Sequence, residues 1–365
     1  MKKSNLAIVS CNRQKYSETF IHSHLMYLSD DVLFLFDGYL PSSYSMDKLQ
    51  TQQRIQKKTF FSVGRRLSES ISRLLLKKNV SVVLAEYGPS GVEMMEPCRI
   101  AKVPMVVHFH GYDAYRKDVL ESYGKHYQEM FKRADAVVVV SNNMLEQIVR
   151  LGCPVSKIHL IPYGVNTDIF LANRPKTDKI QFVSCGRFVS KKGPFYTIRA
   201  FAKVHEKYPM AYLIMIGDGE LLDECKKLSN ELGLDKCIRF TGKLPQKDIS
   251  EIFSASTAFL QHSMIDENND SEGLPLVLIE AGAASLPVIS TFHAGIPDLI
   301  QDGINGFLVN EKDTEAMAAK MIEVIENPEK ANEMAHNLNR LVNEKYTMNI
   351  YIARLKKLLK EVQAR

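Results

Sequence analysis

The sequence predicts an α/β chain of two successive units, each a parallel sheet covered by helices. Three observations carry that expectation. Short β-branched runs alternate with helix-period segments from one end of the chain to the other. The strand runs are apolar on nearly every residue, as in Val137-Val138-Val139-Val140, which suits strands covered on both faces. The length, 365 residues, matches about two domains.

In chain order, strands are expected at 6–10, 32–36, 80–85, 105–108, 136–140 and 157–160. A polar break follows, and the stretch Asn166 to Lys179, with Asn173-Arg174-Pro175-Lys176, reads as a linker. Beyond it, strands are expected at 180–185, 211–216, 238–240, 258–261, 288–290 and 306–309. The last helix, about 348–363, carries an apolar stripe of Ile352, Leu355, Leu358, Leu359 and Val362 that must dock on a core. If two parallel sheets face each other, loops converge at the carboxyl ends of their strands, so the chemistry is sought in an interdomain cleft.

Composition narrows the function classes. With 45% apolar and 24% charged residues the chain is an ordinary globular one, not a disordered or fibrous one. Its six cysteines lie at least 12 residues apart, which excludes local C-x-x-C redox or zinc pairs and suits reduced thiols in a cytoplasmic protein. Met1 to Asn5 pass into a strand-like run with no apolar leader or cleavage site, so no signal peptide is expected. No apolar stretch approaches the roughly 20 residues that span a bilayer. Net charge is a mild +5, but Lys48 to Lys78 alone carry +8, leaving the rest at −3. This basic stretch interleaves Phe60, Phe61, Leu67, Ile71 and Leu75 with its cations. It suits a solvated helix face or a peripheral contact with anionic lipid, and no nucleic acid.

The most informative motif is Asp270-Ser271-Glu272-Gly273-Leu274-Pro275-Leu276-Val277-Leu278-Ile279-Glu280. A polar loop ends in Glu-Gly, Pro275 presets a first helical turn, and an apolar helix follows. Its free N–H groups and positive dipole end make an anion site. Glu272 precedes that end and Glu280 follows it, so two carboxylates can accept hydroxyl hydrogen bonds on either side of a bound diphosphate.

Gly186-Arg187-Phe188-Val189-Ser190-Lys191-Lys192-Gly193 follows the strand at 180–185. Alone it is a basic loop; beside the Glu272 unit, its glycine allows close backbone approach while Arg187 and Lys192 stabilise leaving-group charge. Gly242 and Lys243 end another strand in a turn that either reads the edge of a base or is only a turn. In the first half, His110 before Gly111-Tyr112-Asp113 is placed to donate to a ligand, whereas His108 within the strand suits a satisfied core group. Ser17 and Glu18 suit the entry of a helix. Gly217-Asp218-Gly219-Glu220 lacks the third glycine of a dinucleotide fingerprint, and no phosphate-binding G-x-x-x-x-G-K-[ST] loop occurs. No D-x-D pair occurs either, so no divalent metal is expected.

Together these motifs resemble a retaining glycosyltransferase of family 4, with the GT-B fold of two facing Rossmann-like domains. The carriers are Glu272 to Glu280 as E-x7-E, Gly186-Arg187 with Lys192-Gly193, Ile161-Pro162-Tyr163-Gly164-Val165-Asn166, His110-Gly111-Tyr112-Asp113, and Ala294-Gly295-Ile296-Pro297-Asp298 through Val309. The opening Tyr16-Ser17-Glu18-Thr19-Phe20-Ile21 is similar to the exopolysaccharide branch that includes colanic-acid-type transferases. The resemblance implies an acceptor-side domain of residues 1–165 with the returning helix 348–365, and a nucleotide-sugar-binding domain of residues 166–347.

It implies a hexosyltransferase that moves a sugar from a nucleotide diphosphate donor, UDP in preference to GDP, to a glycan or lipid-linked acceptor in surface polysaccharide biosynthesis. No cofactor or metal is implied. Arg187 and Lys192 would hold the diphosphate, Glu272 the sugar hydroxyls and Glu280 the ribose. His110 would contact donor sugar or acceptor, and Gly186, Gly242, Lys243, Gly273, Leu274 and Leu276 would complete the nucleotide site. Two departures stand out: Cys11-Asn12-Arg13-Gln14 replaces a glycine-rich first loop, and Ala294 and Asp298 stand where glycine and glutamate are common. The alternatives are a catalytically silent nucleotide-sugar-binding partner subunit of another transferase, and a phosphorylase.

Overall fold

The computed structural model describes residues 5–13, 18–46, 53–55, 63–170 and 179–365. Ser17, Lys48, Lys57, Lys58, Phe60, Phe61 and the linker core 171–178 lie outside the described residues. The chain divides into one unit of Met1–Pro162 with Tyr351–Arg365 and a second of Tyr163–Ile350.

The first unit begins with β1 (Asn5–Val9), α1 (Thr19–Tyr27), β2 (Val32–Phe36), β3 (Ser43–Ser45), β4 (Gln53–Arg54), α2 (Val63–Lys77) and β5 (Val80–Glu86). It continues with α3 (Gly88–Ala101), β6 (Met105–His108), α4 (Tyr112–Tyr115), α5 (Lys117–Arg133), β7 (Ala136–Val139), α6 (Asn142–Arg150) and β8 (Ile158–Leu160). Its sheet order is β4-β3-β2-β1-β5-β6-β7-β8. From β2 to β8 every pairing is parallel, while β3 and β4 add an antiparallel edge. β1, β2, β5, β6 and β7 are almost wholly buried, which is why their sequences are apolar at every position rather than at alternate ones.

The second unit contains β9 (Gln181–Cys185), α7 (Pro194–Lys207), β10 (Tyr212–Ile216), α8 (Leu222–Glu231), β11 (Ile238–Gly242), α9 (Gln246–Ser254) and β12 (Ala258–Leu260). Then come α10 (Leu276–Ala283), β13 (Val288–Thr291), α11 (Ile296–Leu299), β14 (Phe307–Val309), α12 (Thr314–Glu326), α13 (Pro328–Lys345) and α14 (Met348–Gln363), whose last residues belong to the first unit. The sheet is entirely parallel, in the order β11-β10-β9-β12-β13-β14. Counted within the unit this is 3-2-1-4-5-6, the doubly wound order whose direction reverses between β9 and β12. Phe182, Phe201, Leu213, Leu260, Phe307 and Met321 form part of its core.

Each expected strand is present, within two residues of its expected ends. Pro275 is the N-cap of α10, so that helix starts one residue later than a proline in the first turn implies. α2 turns Leu67, Ile71 and Leu75 into its own unit and leaves Arg73 and Lys77 exposed. That stripe is therefore spent within the protein, and the exposed face of its last turns carries Arg73, Lys77 and the single apolar Leu76. Among the described residues no helix is long and apolar enough to cross a membrane.

Candidate active site

In the second unit the carboxyl ends of β9 and β12 flank the switch point, where a doubly wound sheet leaves a crevice. The loop after β9 is fixed by its neighbours. Gly186 N–H donates to Ile216 O at 2.9 Å, Gly217 N–H to Gly242 O at 2.9 Å, and Phe188 N–H to Asp218 O at 3.1 Å. Gly217 has φ +133°, and a Cβ there would sit 1.9 Å from Gly186 O, so no side chain fits. At the other end of the loop Gly193, with φ +56°, brings the start of α7 so close that a Cβ would meet His262 O at 2.0 Å.

These constraints bring Arg187 and Lys192 to the lining of a small solvent-open cleft, together with Ser184, Gly186, Met215 and Gln261. Arg187 is exposed, and no described residue hydrogen-bonds or ion-pairs its guanidinium. Lys192 instead reaches across the switch point, with Nζ 3.1 Å from Glu272 Oε1. The adjacent Lys191 is buried, donating to Asp270 Oδ1 at 2.9 Å and Ser271 O at 3.2 Å.

The acidic loop is pinned from its other side by a histidine. His293 Nε2 lies 3.2 Å from both Ser271 Oγ and Glu272 N, and its Nδ1 lies 2.6 Å from Glu311 Oε1. Beyond Glu272, the N–H groups of Gly273, Leu274, Leu276 and Val277 find no acceptor among the described residues. Four unused amides at a helix start, beside two cations, are a site for a polyanion.

The two carboxylates are in opposite electrostatic states. Burial alone would raise the Glu272 carboxyl, but Lys192, Lys191 and His293 outweigh it and hold it down at about 2. Glu280 is pushed up to about 7 by burial, against weak opposition from Gln246, whose Nε2 is 3.4 Å from Glu280 Oε1, and from Lys192. Gly242 and Lys243 stand at the end of β11, two strands from β9, where Lys243 Nζ pairs with Asp218 Oδ2 at 3.1 Å.

In the first unit, His110 leaves β6 with its ring only 3% exposed, stacked 4.2 Å from Phe20 and with Nε2 2.8 Å from Glu86 Oε2. The ring has little surface to offer a ligand. Glu86 Oε1 is 2.6 Å from His24 Nδ1, and His24 Nε2 is 2.5 Å from the Tyr351 hydroxyl on α14. His108 is fully buried beside this group, and burial holds its ring well below the usual histidine range. The Asp113 carboxylate fixes the following turn by accepting from the N–H groups of Gly88, His110 and Gly111.

His24, Glu86 and His108 offer donor atoms within 4.8 Å of one another, the composition of a zinc site. The 2.6 Å between His24 Nδ1 and Glu86 Oε1, however, is shorter than the about 3.3 Å between two ligands of a tetrahedral zinc, and suits a shared proton instead. Sequence reasoning did not find Glu86, His24, Tyr351, Lys191, His293 or Glu311. Their partners lie far away in sequence, 327 residues in the case of His24 and Tyr351, and no local spacing signals them.

The second unit is thus a doubly wound α/β unit with an anion-binding site at its switch point, and comparison with known proteins gives that class a family. Residues 166–340 match the family model of glycosyl transferases group 1, and residues 48–169 match that of Glycosyltransferase Family 4. The chain belongs to these glycosyltransferases and has the GT-B fold of two parallel-sheet α/β units.

It is 29% identical over 246 residues to a putative colanic acid biosynthesis glycosyltransferase, WcaL, of Salmonella typhimurium, a match covering 66% of this chain and 61% of that one. It is 28% identical over 277 residues to the amylovoran biosynthesis glycosyltransferase AmsK of Erwinia amylovora, covering 72% and 68%. The chain therefore spans about three fifths of the length of the first relative and about two thirds of the second. Among solved structures, Anabaena HepE in complex with UDP-glucose superposes with a TM-score of 0.82 at 16% identity, covering 98% of this chain and 100% of that one. A glycosyltransferase from Rickettsia africae gives 0.80 at 18% identity, covering 99% of each chain.

Proposed function

We propose that this protein transfers a hexose-type sugar from a UDP-sugar to a hydroxyl of a glycan or lipid-linked acceptor in surface polysaccharide biosynthesis, with retention at the anomeric carbon. The observation that carries this reading is the Lys192–Glu272 pair across the β9/β12 switch point, together with Arg187 and the first amides of α10, which have no partner among the described residues. A diphosphate entering there meets Arg187, Lys192 and the amides from Gly273 to Val277. Lys192 exchanges its carboxylate for phosphate, and Glu272 is released to accept sugar hydroxyls. Glu280 accepts from the ribose, while Gly242 and Lys243 border the base.

Positive charge fixed where the leaving group develops negative charge is the main catalytic contribution, and it needs no divalent ion. No side chain here is placed as an activated nucleophile, so the reading is a front-face displacement in which the departing phosphate oxygen takes the acceptor's proton. The UDP donor is supported by HepE, solved with UDP-glucose, and by an Escherichia coli UDP-Gal:alpha-D-GlcNAc-diphosphoundecaprenol alpha-1,3-galactosyltransferase, 27% identical over 296 residues. A cytoplasmic protein working at the inner membrane face fits a lipid-linked acceptor, with Arg73 and Lys77 among the cations that would meet anionic headgroups.

The test is a thermal-shift panel of nucleotide sugars on the purified chain. Donor turnover follows, with and without EDTA, and NMR assignment of the product's anomeric configuration. Stabilisation by UDP-sugars and an α-linked product from an α-linked donor are expected. An inverted product would overturn the mechanism, and stabilisation by no nucleotide sugar would overturn the donor assignment.

A further inference from the structure

We propose that His293 is a positioning residue for Glu272: its ring, oriented by Glu311, holds the main chain of the acidic loop where the Glu272 side chain meets Lys192 and a bound donor. The role rests on the donor-site reading above, but the geometry of the latch is independent of it.

The hydrogen positions follow from what each partner can do. Glu272 N–H can only donate, so His293 Nε2, 3.2 Å away, must accept with its lone pair. The proton is then on Nδ1, which donates to Glu311 Oε1 at 2.6 Å. Glu311 is itself held, because its Oε2 accepts from Ile265 N–H at 3.0 Å in the loop after β12. The Ser271 hydroxyl, 3.2 Å from the same Nε2, is the second donor to it.

The ring is 1% exposed and lies just past the end of β13, where His293 N–H donates to Thr291 O at 2.8 Å and its carbonyl accepts from Ile296 N–H at 2.9 Å. It therefore projects from a strand end toward the long loop that follows β12. Lys191 grips the same loop one and two residues earlier, at Ser271 O and Asp270 Oδ1, and the amides of Gly273, Leu274, Leu276 and Val277 have no acceptor among the described residues. Among the described residues, Glu272 is thus the last residue of the loop whose amide the protein itself holds before the anion site begins. His293 bonds main chain and a hydroxyl, not the cavity, so it acts through Glu272.

Two amide substitutions separate this role from space filling, because glutamine places its carbonyl near the imidazole Nε2 position and asparagine places its amide near Nδ1. His293→Gln should keep an acceptor for Glu272 N–H, while His293→Asn should keep only the contact with Glu311. In the full chain, amide hydrogen exchange across residues 270–276 is measured together with donor KM and kcat for UDP-glucose hydrolysis.

His293→Asn is expected to speed exchange at Glu272 and to raise donor KM roughly 10- to 100-fold, the effect of misplacing a binding group by about 1 Å. His293→Gln should stay within about threefold of the parent in both. The proposal is overturned if the two variants behave alike, whether both normal or both impaired. Should His293→Asn not fold, Glu311→Ala, which leaves the ring but frees its Nδ1, must speed the same exchange; unchanged protection overturns the proposal. If the parent chain does not turn over UDP-glucose, the donor reading is what fails, and the exchange contrast still decides the latch.

Discussion

Arg187 and Lys192 look equivalent in the sequence, as two cations of one loop, but the structure gives them different environments. Arg187 is exposed and unpaired among the described residues, so Arg187→Ala should lower turnover by orders of magnitude while leaving the melting temperature unchanged. Lys192 is paired with the buried Glu272, and its removal leaves that carboxylate to Lys191 and His293 alone. Lys192→Ala should therefore lose both turnover and about 1–3 kcal/mol of stability, below the full cost of breaking a buried pair because the Lys191 cation remains nearby. Because the Glu272 carboxyl is held at about 2 in the fold, its stabilisation is present above the ordinary carboxylate range and lost as pH falls toward 2. Acid titration of stability should be shallower in Lys192→Ala. Glu280 has the opposite sign. Its carboxyl is raised to about 7, so the fold holds a proton the unfolded chain has released, and stability declines as pH rises from about 4.5 to 7. Glu280→Gln should remove that decline and melt higher than the parent at pH 8, by about 1–2 kcal/mol, while raising donor KM roughly tenfold through loss of a charged acceptor. A variant no more stable than the parent at pH 8 would contradict the upward shift of this carboxyl.

At the scale of elements, the strands were legible because burial on both faces leaves an unbroken apolar run. Val32–Phe36 and Met105–His108 have the expected ends for that reason. The edge strands Ser43–Ser45 and Gln53–Arg54 were not legible, since short polar strands at a sheet margin have no apolar signature and owe their conformation to pairing, the first with β2 and the second with the first. The switch-point loops were legible as motifs, and the structure brings Gly186, Arg187 and Lys192 to one cleft, with Lys192 meeting Glu272. What holds those loops was not. Gly217 is readable as a glycine, but its requirement comes from Gly186 O on the neighbouring strand, a contact that exists only once β9 and β10 are paired. The histidine cluster shows the same limit more strongly. His110 was singled out from the polar turn after β6, yet its ring direction is set by Glu86 on another strand and by Phe20 on α1, neither of which any spacing within 110–113 announces.

At the scale of the whole molecule, the chain starts in the first unit, builds the second, and returns at Tyr351 to complete the first. The return is a structural requirement of that unit rather than an appendage. α14 buries Tyr351, Ile352, Leu355, Leu358, Leu359 and Val362, and full burial of each such side chain is worth about 1.5–3 kcal/mol, so the segment contributes on the order of 10 kcal/mol. That is comparable with the entire stability of a domain. Tyr351 adds a polar tie, because its hydroxyl meets His24 Nε2 while His24 Nδ1 meets Glu86 in a group with no solvent exposure. Burial alone would raise the Glu86 carboxyl, but His24 and His110 outweigh it and hold it far below the usual range, so the cluster stabilises the fold at neutral pH and weakens as the medium becomes strongly acidic. Removing residues 351–365 should therefore unfold the first unit selectively. Scanning calorimetry of the truncated chain is expected to lose or sharply lower one transition while the second unit, with its own six-stranded sheet from β9 to β14, keeps its melting temperature and its response to UDP. Tyr351→Phe isolates the polar part: it retains the packing, removes one buried partner of His24, and should lower the same transition by about 1–3 kcal/mol without moving the other. If truncation shifts both transitions equally, the two units do not unfold independently and the last helix stabilises the molecule as a single cooperative body.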